Sequence, residues 1–153
     1  MLFLLFQAGK DRYAIGAREV VEVVPLVRFK SIPHAPHWVA GVFSYRGTAI
    51  PVVDLTQLMV ERPSRGWMST RIIVVSLRAE NGEKHLLGLL AEKVRETVRL
   101  ANDDFREPGV TVPGTRYLGK VAGVMGSLVQ KVDTETILDE DVRALLFRER
   151  TDG

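Results

Sequence analysis

Three histidines are the first residues to question, because the 153-residue chain holds no cysteine. His34 and His37 stand three apart, a spacing that places two metal ligands on one helix face. Pro33 and Pro36 fall among them and argue against a helix there, and no third ligand of obvious spacing follows. They read as two loop histidines. His85 lies in an apolar run and reads as a packed or edge residue. Asp54 closes the run "IPVVD". A carboxylate at a strand end serves either catalysis or the cap of the next turn, here at Leu55. Catalysis needs a second acid or base nearby, and none is readable, so the cap is favoured.

Other reaction centres are missing from the sequence. Without cysteine there is no disulfide scaffold, no zinc–thiolate site and no thiol nucleophile. "AGVFSYRG" and "GVMG" carry glycines but lack the Lys-Ser/Thr of a phosphate loop and the spacing of a dinucleotide fingerprint. There is no Gly-x-Ser-x-Gly elbow. A chain with this much apolar sequence and no reaction centre reads as a binding module, with no catalytic residue, cofactor or metal expected. The alternative is a small-ligand- or metal-binding β-barrel with His34, His37 and Asp54 lining a pocket.

One charged residue stands out by position. Arg46-Gly47 separates the apolar runs "VAGVFSY" and "TAIPVVDL". In one reading Arg46 is a turn arginine paired with a nearby carboxylate. In the other it is held rigidly at a hairpin tip as an interface anchor, a role in which arginine is enriched. Gly47 permits the sharp backbone in both. Spacing alone does not choose between them.

The elements that must position these residues are mostly strands. "LFLLFQ", "RYAIG", "EVVEVV", the pair around Arg46-Gly47, "TRIIVVSLR", "KHLLGLLAEK" and "VRETVRL" are short, rich in β-branched residues and bounded by turn signals. "YLGKVAGVMGSLVQKV" supplies two more, with glycines at bends. Asn81-Gly82 in "AENGE" predicts a hairpin. "LTQLM" allows one helical turn, and "VERPSRGWMS" is a polar loop. Leu138, Val142, Leu145 and Leu146 fall on one helical stripe. Asp139 or Thr136 suits its start, and Arg148 and Arg150 its end. Nine or ten strands and one terminal helix predict an all-β barrel architecture. Strands this apolar on both faces need cover on both sides, which two packed barrels supply. No fixed-period repeat is visible.

Composition narrows the partners. Lys and Arg number 21 against 19 Asp and Glu, a net charge of +2, too small to point to nucleic acid. "LFLLF" is too short for a signal-peptide core, and no apolar run nears the ~20 residues of a membrane span. A cytoplasmic protein without direct membrane insertion is expected.

The stretch "YAI…EVVEVVPLVRFKSIPHAPHWVAGVFSYRGTAIPVVDL" resembles the CheW-like domain of bacterial chemosensory coupling proteins. The matching positions are Tyr13 to Ile15, Val20 to Val23, Ile32 to Val42, Arg46-Gly47 and Pro51 to Leu55. Ser44-Tyr45 stands where that family usually has Asn-Leu. The resemblance implies one CheW-like domain over residues 1–150, built as two intertwined five-stranded SH3-like barrels with a shared core and a short C-terminal helix. It implies a non-enzymatic adaptor between the cytoplasmic tip of a methyl-accepting chemoreceptor and the regulatory domain of a CheA-type histidine kinase. Alternative, Wsp-type chemosensory pathways fall within it. It places the protein in the cytoplasm at membrane chemoreceptor arrays, with weak self-association through barrel ends. Receptor binding falls on Arg46 and Glu22 at a groove rim and on Val20 and Val42 as candidates for its floor.

Overall fold

β-Branched and aromatic runs set the strands, and residues with positive φ set the turns between them. The computed structural model describes residues 1–79 and 81–147. The strands are β1 (Leu2–Ala8), β2 (Asp11–Gly16), β3 (Val20–Pro25), β4 (Val39–Tyr45), β5 (Thr48–Asp54), β6 (Arg71–Arg78), β7 (Lys84–Arg99), β8 (Phe105–Arg106), β9 (Leu118–Val124) and β10 (Ser127–Val132). Two short helices, α1 (Leu55–Val60) and α2 (Glu140–Leu146), complete the regular structure with three single 3₁₀ turns.

The strands form two intertwined barrels. One runs β7–β1–β2–β10–β9 and uses the C-terminal half of β7. The other runs β3–β6–β7–β5–β4 and uses the N-terminal half of β7. Each closes through a short segment, two residues in the first barrel and a single bridge residue in the second. Arg106 of β8 pairs with Val121 in the first barrel, and Lys30 pairs with Val42 in the second. β7 is one strand of 16 residues where the sequence reads as two. Lys93 takes φ 50°, and the pairing with β1 slips between Leu5 and Gln7. The chain therefore bends through a bulge and passes from one barrel wall to the other without ending.

Three apolar clusters explain why the strands are hydrophobic on both faces. Along β6, Ile72 and Val74 point into the second barrel, while Ile73, Val75 and Leu77 point to a core between the barrels. Along β1, Phe3 and Leu5 fill the first barrel, and Phe6 and Ala8 join the shared core. This is the period-2 alternation of a strand with an apolar environment on each side. The shared core draws on both barrels, and on Ile137 and Leu138 ahead of α2. From the predicted stripe, Leu138, Val142 and Leu146 face inward, but Leu145 is exposed. Arg148 and Arg150 lie outside the described residues.

The fold also contains a repeat that the sequence conceals. Residues 38–54 and 117–133 share one pairing register at a constant offset, without a gap. Val39 pairs with Val53 as Leu118 pairs with Val132, and Tyr45 with Thr48 as Val124 with Ser127. The Asp54 amide donates to the Trp38 carbonyl at 2.8 Å, and the Asp133 amide to Tyr117 at 2.7 Å. The β1–β2 hairpin corresponds to β6–β7, and each docks in parallel on the β-hairpin belonging to the other half of the chain. Few identities survive in the aligned segments, among them Val42/Val121, Gly47/Gly126 and Asp54/Asp133. Burial requires apolar character at these places rather than a given residue, so no period shows in the letters.

Candidate functional site

Arg46 and Gly47 are the two central residues of the β4–β5 turn, with φ of 49° and 83°. Two positive φ values between strands joined by a two-residue loop define a type I′ turn, whose twist matches the flanking strands. A Cβ on Gly47 would meet nothing within 4 Å, so glycine serves the backbone angle there and not space. Arg46 pays the left-handed penalty that a non-glycine residue carries. Its side chain is 74% exposed, yet it is not loose. Nη2 donates to Glu22 Oε1 at 2.5 Å, and the guanidinium stands 5.4 Å over the Tyr45 ring. The hydrogen bond donated to Glu22, then the charge of Glu22, hold the Arg46 pKa above the ordinary value.

Glu22 comes from the other edge of the same barrel. β3 and β4 are the two end strands, no ladder pairs them among the described residues, and the Lys30–Val42 bridge lies beyond the end of β3. The ion pair crosses that open seam. Beside it lies a depression lined by Val24, Pro25, Val27, Phe43 and Tyr45, with Arg28 at its edge. Phe29, Phe43 and Tyr45 meet in series edge-on and tilted, their ring centres 6.3 and 6.2 Å apart. The result is an apolar trough with a fixed charge pair across its mouth.

Of the four positions expected at a receptor surface, the structure brings Arg46 and Glu22 into contact. Val20 is half-buried against the core between the barrels. Val42 is half-buried in β4, with its backbone committed to Lys30. Neither is among the residues lining the trough. Val24, Val27, Phe43 and Tyr45 were not singled out from sequence. For Val24, Phe43 and Tyr45 the signal was an alternation in β3 and β4 that resembled ordinary core packing, and Val27 lies in the connector after β3.

The remaining candidates have structural roles. Asp54 is the N-cap of α1, accepting from the amides of Thr56 and Gln57 at 3.1 and 3.3 Å. It also accepts from the Ser64 amide at 2.9 Å and its hydroxyl at 2.6 Å. His34 and His37 are exposed in the connector, and among the described residues no group of three or more potential ligands converges on a metal site. His85 stacks on Phe147 at 4.7 Å. The loop read as merely polar is anchored by a carboxylate that sequence reasoning missed. Glu92 is 1% exposed at the β7 bulge and accepts two bonds from Arg62 and one from the Arg65 amide. Burial acts to raise its pKa, but the Arg62 hydrogen bond, the Arg65 amide and both positive charges outweigh burial and hold it below the usual carboxylate range.

Two interlocked β-barrels with a charged, rigid turn beside an apolar trough define a docking body. The CheW-like domain model matches residues 2–142, and the chain belongs to that family. The chemotaxis protein CheW of Helicobacter pylori is 25% identical over 140 residues, 91% of this chain and 82% of that one. The CheW of Klebsiella aerogenes is 25% identical over 147 residues, covering 94% and 85%. Protein FrzA of Myxococcus xanthus matches at 29% over 72 residues, 47% of this chain and 45% of its own. The crystal structure of the scaffolding protein TtCheW from Thermoanaerobacter tengcongensis has the same fold. Its TM-score is 0.78 at 24% identity, covering 90% of this chain and 87% of that one.

Proposed function

We propose that this protein is a non-enzymatic adaptor that couples a methyl-accepting chemoreceptor to a CheA-type histidine kinase. The observation that carries the reading is the Arg46 guanidinium, locked by a type I′ turn, Glu22 and the Tyr45 ring at the mouth of an apolar trough. A receptor tip is a helical hairpin, and a helix docks by laying an apolar face into such a groove. The charge pair at the rim sets register and excludes wrong partners more than it adds affinity. Val20 and Val42 extend the same receptor surface beyond the trough. The kinase regulatory domain docks barrel to barrel, and the same barrel ends support weak self-association. Residues 1–150 act as one coupling domain of two barrels. No described helix is long and apolar enough to cross a membrane, and the protein works in the cytoplasm at receptor arrays.

The test is reconstitution of receptor, kinase and adaptor, with kinase autophosphorylation as readout. Arg46→Glu puts a like charge against Glu22 and should keep the wild-type circular dichroism spectrum while losing receptor-dependent activation. Full activation by this variant overturns the assignment.

A further inference from the structure

The loop between α1 and β6 carries Trp67 and Met68, and neither residue belongs to a core cluster. Trp67 is 39% exposed and Met68 is 98% exposed. They stand over a depression whose other walls are Ser69, Arg71, Lys93 and Arg95. Arg65 and Lys93 lie over the Trp67 ring, at 5.3 and 5.5 Å from its centre. Arg95 donates to the Ser69 hydroxyl at 3.3 Å. Among the described residues, none of Arg65, Arg71, Lys93 and Arg95 forms an ion pair, although Arg46, Arg62, Lys120 and Arg143 each do.

The platform is held in place from below. Glu92 binds Arg62 and the Arg65 amide, Thr70 Oγ1 donates to the Arg65 carbonyl at 2.5 Å, and the Val94 amide donates to Ser69 at 2.9 Å. Lys93 holds its left-handed backbone at the bulge, φ 50°, directly after Glu92. A buried carboxylate thus fixes the loop that carries Arg65, Trp67 and Met68 beside Arg71 of β6 and Lys93 and Arg95 of β7, four cations none of which is in an ion pair among the described residues. Rigid exposed Trp and Met amid arginines is the composition of an interface centre and not of an ordinary solvated face.

We infer that this platform is a second docking site, for an acidic protein segment that carries a large apolar side chain between its carboxylates. The four cations match carboxylates, and Met68 supplies an adaptable apolar contact. Two other anionic partners fit less well. Arg65 and Lys93 cover the indole face that a nucleobase would need for stacking. Of the platform's apolar side chains Met68 alone is almost fully exposed, and one such side chain gives no bilayer anchor.

Trp67 is its own reporter. A synthetic helical peptide of alternating Glu and Leu clusters is titrated into the full-length protein while tryptophan emission is followed. A saturable shift should appear, weaken several-fold between low and physiological salt, and vanish in Trp67→Phe. Arg71→Glu/Arg95→Glu should bind at least about tenfold more weakly. Lys10→Glu/Lys84→Glu, matched in net charge and placed elsewhere, should bind like wild type. Circular dichroism and melting identify any variant that has unfolded, in which case Arg71→Gln/Arg95→Gln takes its place. The inference is overturned by no shift, by equal affinity in the charge-reversed pair, or by tighter binding to phosphatidylglycerol vesicles or oligo-dT than to the peptide.

Discussion

Arg62 meets Glu92 end on, with Nη1 and Nη2 each 3.0 Å from a different carboxylate oxygen. The bidentate pair fastens the 61–69 loop to the bulge of β7, thirty positions later in the chain. Removing one partner of a buried charge pair costs far more than the pair itself contributes. Glu92→Gln keeps the shape and removes the charge. Its melting temperature at neutral pH should drop by roughly 5 °C or more, and Trp67 emission should move toward that of a solvated indole. An unchanged Tm would show that the loop is held by other contacts.

The same group sets part of the acid response. Glu92 has a folded pKa below its unfolded value, so its stabilisation is present above the unfolded pKa and is lost as pH falls through the folded one. Wild type should therefore lose stability more steeply than Glu92→Gln as the medium is taken from about pH 5 toward pH 3. Urea midpoints at several pH values give the two slopes. Parallel slopes would remove Glu92 from the acid transition.

Glu19 has the opposite sign. Burial first, and the neighbouring Asp133 second, raise its folded pKa. The charged form is disfavoured in the fold, so the strain is present above the folded pKa and relieved as pH falls through it. Glu19→Gln should raise the Tm at pH 7 and have no such effect near pH 3. A lower Tm at pH 7 would mean that the carboxylate is held by bonds stronger than its burial cost.

Ile73 lies wholly buried in the core between the barrels. Ile73→Ala should cost about 2–5 kcal/mol. Because β7 serves both walls, calorimetry should still show one transition at a lower temperature. Two resolved transitions would mean that the barrels melt separately.

The two turn tips allow a control for position. Met125 and Gly126 adopt φ of 49° and 84°, nearly the values of Arg46 and Gly47, and Met125 is 91% exposed. Glu96 pairs with Leu5 as Glu22 pairs with the equivalent Val74. Exchanging the tips, Arg46→Met with Met125→Arg, should leave the Tm within about 2 °C. It should still abolish receptor-dependent kinase activation. Retained activation would show that the arginine matters only as net charge.

Much of this was legible in advance because alternation and turn chemistry are local. The β4–β5 turn, the Asn81-Gly82 hairpin and the Asp54 cap each depend on neighbours a few residues away. Glu92 was not legible, since its partners, Arg62 and Arg65, come from a loop with no periodicity. The trough was half legible. Arg46 announced itself by standing between apolar runs, but its meeting with Glu22 depends on barrel closure through Lys30 and Val42. No spacing in the sequence encodes that closure.

The reciprocal docking of the two hairpins has a topological consequence. Residues 1–70 and 71–147 are arranged as two subunits of a strand-exchanged dimer joined end to end, each completing the other's wall. The covalent link between Thr70 and Arg71 supplies proximity, while the 61–69 loop stays with the first piece and keeps Arg62 and the Arg65 amide for Glu92. The two pieces, expressed as separate polypeptides, should find each other and rebuild the molecule, while either piece alone keeps an unfinished cylinder.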